Sequence, residues 1–455
     1  MSQCSNSTTQ RGDHGANLAQ SAGGTVTLGR MSPSESTPNA SASAPSPGSR
    51  RPSPTVAAVA LGLLLGLQPL TTDLYLPAFP ALTRDLAAPM QLAQLTMSAL
   101  LLAFGAAQLV WGPVADRWGR RPVLLAGLAL YVLASLAAVL AGDIRSLIAV
   151  RVLQGVGMAA AVVVARATVR DLYEPAQGAH VMSLALSGLG MIAISSPMVG
   201  GLVVQSSGWR SAFGVIALFS AFTLAFIALK LPETLPQRDP KALHPGSLLR
   251  NWGQILRHPT FRAWSALTAC TYGGLYIFLA GSSFVYIDAF GLSPTVYGLV
   301  LGSSSISYLF GTFVCRRWLL QLGMAGAVGR ASAFTLTGGL LMGALSLAGV
   351  EAVWAIALPQ MAIAFAHGVH QSCGQAGAVG PFRRQAGAAA ALAGFILAAV
   401  AFGIGSWLAA AMDGSARPVA LGIAFWALMT ATVGWTLVRR HGAPLSATTA
   451  VAGVR

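Results

Sequence analysis

Charge is what this sequence has least of. Of its 455 residues only 9% are Asp, Glu, Lys or Arg, where soluble domains carry about 25%. That deficit excludes an ordinary globular enzyme. Acid is scarcer still, 13 Asp and Glu against 28 Lys and Arg, for a net charge of +15. A basic surplus can signal nucleic-acid binding, but here the arginines stand singly or in pairs at the ends of apolar runs. No basic face with interleaved aromatics forms, so no nucleic-acid partner is expected. Cysteine is nearly absent too. Cys4, Cys270, Cys315 and Cys373 show no C-x-x-C spacing and read as small apolar residues in helices, with neither a disulfide nor a metal site. No phosphate loop G-x-x-x-x-G-K-[ST] occurs, which excludes ATP-driven pumping, and Ser, His and Asp form no catalytic motif. The expectation is a protein that is not an enzyme and carries no cofactor. The first fifty residues contain no apolar core of a signal peptide.

What the sequence has in excess is hydrophobic residues, 55% of the total. From residue 55 onward twelve apolar segments appear, each near the twenty residues that cross a bilayer core. They lie at 56–78, 92–114, 122–141, 145–167, 179–204 and 211–230, then 262–284, 295–315, 329–349, 352–372, 386–410 and 416–438. The predicted fold class is an all-α integral membrane protein of twelve transmembrane helices in two six-helix halves, 55–230 and 262–438. A linker at 231–261, with Lys241, Arg250, Arg257 and several prolines, separates them. Residues 1–54, rich in Ser, Pro, Gly, Thr and Asn, read as a disordered tail, either a real extension or the product of a start placed before Met31. Residues 439–455 form a second tail. With the N-terminus inside, only Arg84, Arg145, Arg210 and Arg417 of the 28 Lys and Arg fall on outer loops, and Arg151 inside a helix. Both termini and the linker are therefore expected in the cytoplasm.

Two apolar segments meet at 109–125, LVWGPVADRWGRRPVLL, through a turn too short to be anything but a membrane-surface hairpin. Its spacing, Gly112, Asp116, Arg117, Gly119, Arg120 and Arg121, resembles the loop between helices 2 and 3 of the major facilitator superfamily. An ordinary positive-inside loop needs the arginines but not those glycines and that acid. Asp116 sits where the helix dipole opposes a negative charge, so it needs a cation. Arg117, Arg120 or Arg166 is expected to supply it, with Asp171 and Glu174 holding the remaining arginines, as a latch between the halves. Gly311-x-x-x-Cys315-Arg316 echoes the pattern faintly in the second half, as expected of two repeats around a central path.

Inside the membrane, segment 1 carries Asp73 in LQPLTTDLYLPAFP. A carboxylate there costs about 2.5–3.5 kcal/mol and is retained where it binds an ion, a proton or a cationic ligand. Arg151, in RVLQGVGMAA, is expected at a similar depth, so that the two can meet and offset each other's desolvation. The run from Arg151 through Gln154 to Gly155 and Gly157 resembles the helix 4 motif of proton-coupled facilitators. Ser196-Pro197-Met198-Val199-Gly200-Gly201 resembles the antiporter motif G-P-x-x-G-G, with Ser196 in place of its first glycine. In the second half Tyr272, Tyr276, Phe284 and Tyr286 lie in segment 7, and His367, His370 and Gln371 near the end of segment 10. With Tyr75 and Gln154, the residues Tyr272, Tyr276 and His367 are candidates to line a cavity for amphiphilic aromatic ligands. Two histidines without a third ligand make no expected metal site.

TDLYLPAFP, VARATVRDLY, LPETL and GLSP together resemble the Bcr/CflA branch of drug:proton antiporters over about residues 55–440. The resemblance implies the major facilitator fold in a bacterial inner membrane and export of drugs such as bicyclomycin, chloramphenicol or sulfonamides. It also implies Asp73 as the proton-coupling carboxylate, with Arg151 modulating it. The expected partners are protons, a small-molecule substrate and the lipid bilayer, with the chain acting as a monomer. Export of one specific metabolite, or proton-coupled uptake by the same fold, would use the same residues.

Overall fold

The computed structural model describes residues 52–442, apart from 236, 383 and 384. Of the tail expected at 1–54, residues 1–51 lie outside the described residues, as does most of the C-terminal tail; Pro54 already belongs to the first helix. The chain is helical almost throughout. The first half comprises α1 (Pro54–Asp73), a 3-10 turn Leu76–Ala78, α2 (Phe79–Asp85), α3 (Met90–Trp118), α4 (Arg120–Val139), α5 (Ile144–Leu172), α6 (Pro175–Ser207) and α7 (Trp209–Lys230). After the linker, with α8 (Pro245–Arg257), come α9 (Pro259–Ser283), α10 (Pro294–Leu347), α11 (Val353–Val379), α12 (Ala386–Ala411), α13 (Arg417–Val433) and α14 (Arg439–His441).

Among the described residues eleven helices are long and apolar enough to cross a membrane, and one of them is long enough to cross twice. At 54 residues α10 would be about 80 Å long if straight, against a hydrocarbon core of about 30 Å. Gly323, at φ 67° and ψ −178°, breaks it into two arms. That backbone conformation favours glycine over every residue with a Cβ. The twelve expected crossings are thereby complete, but the loop expected between 315 and 329 is helical on either side of a one-residue break.

Segment 1 also differs from expectation. It does not end at 78 but continues through the 3-10 turn and α2 to Asp85. Pro77 and Pro80 sit in the first positions of the new turns, where a missing N–H costs nothing. The linker is likewise more ordered than its polar composition suggests, because α8 folds onto the ends of α9 and α12.

In the first half α1 packs on α5, α6 and α7, α3 on α5, and α4 on α5 and α7; in the second, α9 packs on α11, α12 and α13, and α10 on α11 and α13. The halves meet along α3 with α12 and α6 with α10. They also join at the end away from the linker. There Arg84 pairs with Asp288 at 3.2 Å, the Phe79 and Phe284 rings stand 6.0 Å apart, and the Thr295 hydroxyl donates to Gln205 at 2.5 Å. The loop before α5 contributes Asp143, whose carboxylate accepts from the Ser146 and Arg145 amides at 2.9 Å and caps the helix. Those bonds, Ser146 first, hold its carboxyl below the usual range.

Candidate functional site

Asp73 is the last residue of α1, half-buried, where the first membrane segment changes from α-helix to a 3-10 turn. With α2 counted, twelve residues of the same span lie beyond it, about 18 Å of helix. It is therefore deeper than a segment ending at 78 would place it. The Thr72 hydroxyl stands 2.7 Å from Asp73 Oδ1 and 3.1 Å from the Gln68 carbonyl oxygen. A hydroxyl has one proton and serves one of these acceptors at a time. The 3-10 turn just beyond Asp73 packs on α9 and α10 of the other half. The carboxylate thus lies next to the contact between the halves.

The α6 motif shapes the same spot. A Cβ at Gly200 would run into the Leu74 carbonyl, one residue beyond Asp73, and a Cβ at Gly201 into the Pro294 carbonyl at the start of α10. Gly298 of α10 faces the Pro197 carbonyl in return. These glycines let α6 touch the α1 break on one side and the opposite half on the other.

Arg151 is fully buried in α5. Its Nη1 donates to Gln154 Oε1 at 2.6 Å, its Nη2 to the Thr71 carbonyl at 3.3 Å, and its guanidinium lies 4.6 Å from the Tyr75 ring centre and 5.6 Å from that of Phe213. Gln154 in turn donates to Ser135 Oγ at 2.8 Å, Ser135 donates to the Tyr131 carbonyl at 2.7 Å, and the Tyr131 and Thr71 hydroxyls share a hydrogen bond. Tyr75 and Thr96 are linked by hydroxyls at 2.9 Å. Close helix packing makes this possible. A Cβ at Gly155 would strike the Leu100 carbonyl of α3, and one at Gly157 would sit 2.7 Å from the Gly127 carbonyl of α4.

The expected meeting of Asp73 with Arg151 is not what the structure holds. Neither takes part in any ion pair among the described residues. Arg151 binds α1 at Thr71, and two residues further along a helix is a rotation of about 200°. Asp73 consequently leaves α1 on a different face from Thr71, while Arg151 bonds within its own half. Tyr131, Ser135 and Thr71 were not singled out from the sequence, although Tyr131 and Ser135 at i and i+4 are a polar stripe in an apolar helix.

At the linker end, Arg120 is the cation that answers Asp116, at 2.6 Å, and it also pairs with Asp171 at 2.9 Å. Arg117 and Arg166 make no ion pair among the described residues. Gly119, at φ 109°, forms the one-residue turn between α3 and α4. Glu233, absent from the expected network, lies beyond α7 and accepts from the backbone amides of Arg120 at 2.9 Å, Arg121 at 3.2 Å, Thr234 at 2.9 Å and Leu235 at 3.0 Å. The latch expected between the halves is therefore a clasp within the first half and its linker. Gly112 faces only Val163 of α5 at 3.8 Å from where a Cβ would stand.

In the second half the cavity candidates gather on α9 and α11. The Tyr272 ring lies 6.3 Å from Tyr276 and 6.5 Å from His367. His367 Nδ1 is 3.0 Å and His370 Nδ1 3.3 Å from the same Thr271 hydroxyl, so the histidines share a hydrogen-bond partner rather than facing a common ion. Tyr75 and Gln154 are fully buried against Arg151. Cys315 and Cys373, 58 residues apart, bring their sulfurs to 3.7 Å as free thiols, a proximity that sequence spacing did not reveal.

A family model described as Major Facilitator Superfamily matches residues 61–406. Multidrug resistance protein D of Escherichia coli (strain K12) is 30% identical over 73% of this chain and 83% of its own length. A bicyclomycin resistance protein homolog of Haemophilus influenzae is 26% identical over 79% and 90%. An uncharacterized MFS-type transporter of Bacillus subtilis (strain 168) is 34% identical over 57% of this chain, and the match spans 65% of that protein. Among solved structures, the human organic anion transporter MFSD10 aligns with a TM-score of 0.64 at 20% identity, over 85% of this chain and 100% of its own. The xylose transporter XylE of E. coli in a partially occluded inward-open conformation gives 0.67 at 11%, over 85% and 97%.

Proposed function

The chain belongs to the major facilitator superfamily, and from that premise we propose that it is a proton-coupled efflux antiporter for drugs or drug-like amphiphilic molecules. It works as a monomer in a bacterial inner membrane with both termini and the linker cytoplasmic, residues 55–230 and 262–438 acting as the two halves. The observation that carries the reading is the position of Asp73. It is a half-buried carboxylate at the α1 break, next to the contact between the halves, beside the glycines of the α6 motif.

Asp73 is assigned the proton. As a carboxylate it accepts from the Thr72 hydroxyl. Once protonated it donates to Thr72 Oγ, and the freed Thr72 proton turns to the Gln68 carbonyl at 3.1 Å. One proton thus rearranges bonds across the last turn of α1, next to the contact with Gly200. Each inward proton brings about 2.3 kcal/mol per 100 mV of membrane potential, which the exchange spends on outward movement of substrate. Arg151 is assigned a positioning role, fixing Thr71 and Tyr75 on either side of Asp73. Tyr272, Tyr276 and His367, with Tyr75 and Gln154 behind them, are assigned to the substrate path. Gly112, Asp116, Arg117, Gly119, Arg120 and Arg166 are assigned to the linker-end gate, where Asp116 and Arg120 hold α3, α4 and α5 together.

Relatives named for multidrug, bicyclomycin and chloramphenicol resistance support the substrate class. The test is accumulation of a fluorescent drug in bacteria lacking other pumps. Expression should lower intracellular drug, and an uncoupler should abolish the difference. Increased accumulation would instead indicate uptake, and no effect across a broad panel would sink drug export.

A further inference from the structure

The linker helix α8 has three distinct faces. Ile255 is buried, and Trp252 packs beside it on the cluster formed by the linker ends of the second-half helices. The Asn251 side-chain oxygen Oδ1 accepts from Gln385 Nε2 at 3.4 Å, ahead of α12. At 100° per residue, Leu249 and Leu256 form a second stripe about a quarter-turn from that docked face, and Arg250 and Arg257 a third, a further 100° around. The two leucines are 64% and 42% exposed although the docked face is one step away.

From Lys241 to Arg262 the charged residues of the sequence have one sign. Lys241, Arg250, Arg257 and Arg262 are all exposed, and none takes part in an ion pair among the described residues. No acidic residue occurs in the sequence between Asp239 and Asp288. Ordinary surface helices intersperse both signs. A short helix at the end of a membrane bundle, with leucines on one flank and arginines on the next, suits the boundary between acyl chains and headgroups.

We propose that α8 is a binding site for anionic phospholipid, with Leu249 and Leu256 in the acyl region and Arg250 and Arg257 on the headgroup phosphate. Arginine suits that contact because its planar fork pairs with phosphate through two hydrogen bonds. The leaflet is the cytoplasmic one by the orientation proposed above, but the site itself does not depend on that orientation.

The test uses the full chain purified in neutral detergent, with thermal unfolding followed as phosphatidylglycerol or phosphatidylcholine is added. Phosphatidylglycerol should raise the midpoint further and at lower concentration. Replacing both arginines, Arg250→Gln with Arg257→Gln, should shift its half-saturating concentration upward by about fivefold per cation, the equivalent of about 1 kcal/mol each. Arg250→Lys with Arg257→Lys should recover most of the preference, and the phosphatidylcholine response should stay as in the parent. Equal responses to the two lipids would overturn the proposal. So would an unchanged phosphatidylglycerol response in the glutamine variant, or the same stabilisation from inorganic phosphate alone. Because no transport is measured, failure here leaves the efflux reading standing, and failure of efflux leaves this result intact.

Discussion

Arg151 is a buried cation with no carboxylate partner among the described residues, held by an amide, a carbonyl and two aromatic faces. Removing one member of such a set leaves a charged donor unsatisfied in a dry interior, which costs about 1–3 kcal/mol or more. Gln154→Leu should therefore lower the unfolding midpoint in detergent by several degrees, and a midpoint equal to the parent would show that Gln154 does not hold Arg151. Asp73 calls for a different readout. Asp73→Asn keeps the shape and the bond to Thr72 but cannot exchange a proton. It should bind neutral substrates as the parent does while losing energised efflux and substrate-induced proton release. A fully active, uncoupler-sensitive Asp73→Asn protein would move the proton site elsewhere, to His367 or Asp116.

Helix ends and helix contacts set the next scale. Glu233 gathers four backbone amides at the start of α4 and the end of α7, where the N-terminal dipole favours a negative charge. Glu233→Gln halves the acceptor oxygens and removes the charge. Hydrogen exchange at Arg120, Arg121, Thr234 and Leu235 should accelerate together, and protection unchanged at all four would sink the clasp. Gly200 tests helix approach. Its absent Cβ is what allows α6 to lie on the Leu74 carbonyl, and backbone cannot yield as a side-chain tip can. Gly200→Val should push the two helices apart at the α1 break and abolish efflux at normal membrane levels. Gly403→Val, at a position with open space around it, serves as the tolerated control.

On the scale of the whole molecule, the halves meet at the end away from the linker through an exposed ion pair, a ring contact and a hydroxyl bond, beside the close approach of Gly201 to Pro294. Exposed ion pairs contribute about 0–1 kcal/mol. Arg84→Ala should accordingly shift the balance between closed and open at that end by less than about fivefold, read from spin-label distances across it. A complete switch to the open state would mean that Arg84–Asp288 does far more than exposed pairs do. The small value fits the proposed transport cycle, in which that end opens and closes.

Sequence alone determined the crossings, because an apolar run of about twenty residues has one stable fate in a bilayer, a helix with its backbone bonds satisfied internally. It also marked Asp73, Arg151 and the Gly112–Arg121 turn, since charge and glycine are conspicuous against so apolar a background. It did not yield the partners of those residues. Arg151 takes Thr71 rather than Asp73 because a two-residue step rotates a side chain by about 200°, and which face meets which neighbour is decided by packing. Glu233 reaches back more than a hundred residues to α4, and Cys315 finds Cys373, for the same reason. The fold of α8 onto the bundle likewise follows from tertiary contacts. Local composition there reads only as a polar connection, and the neighbouring helices decide what it becomes.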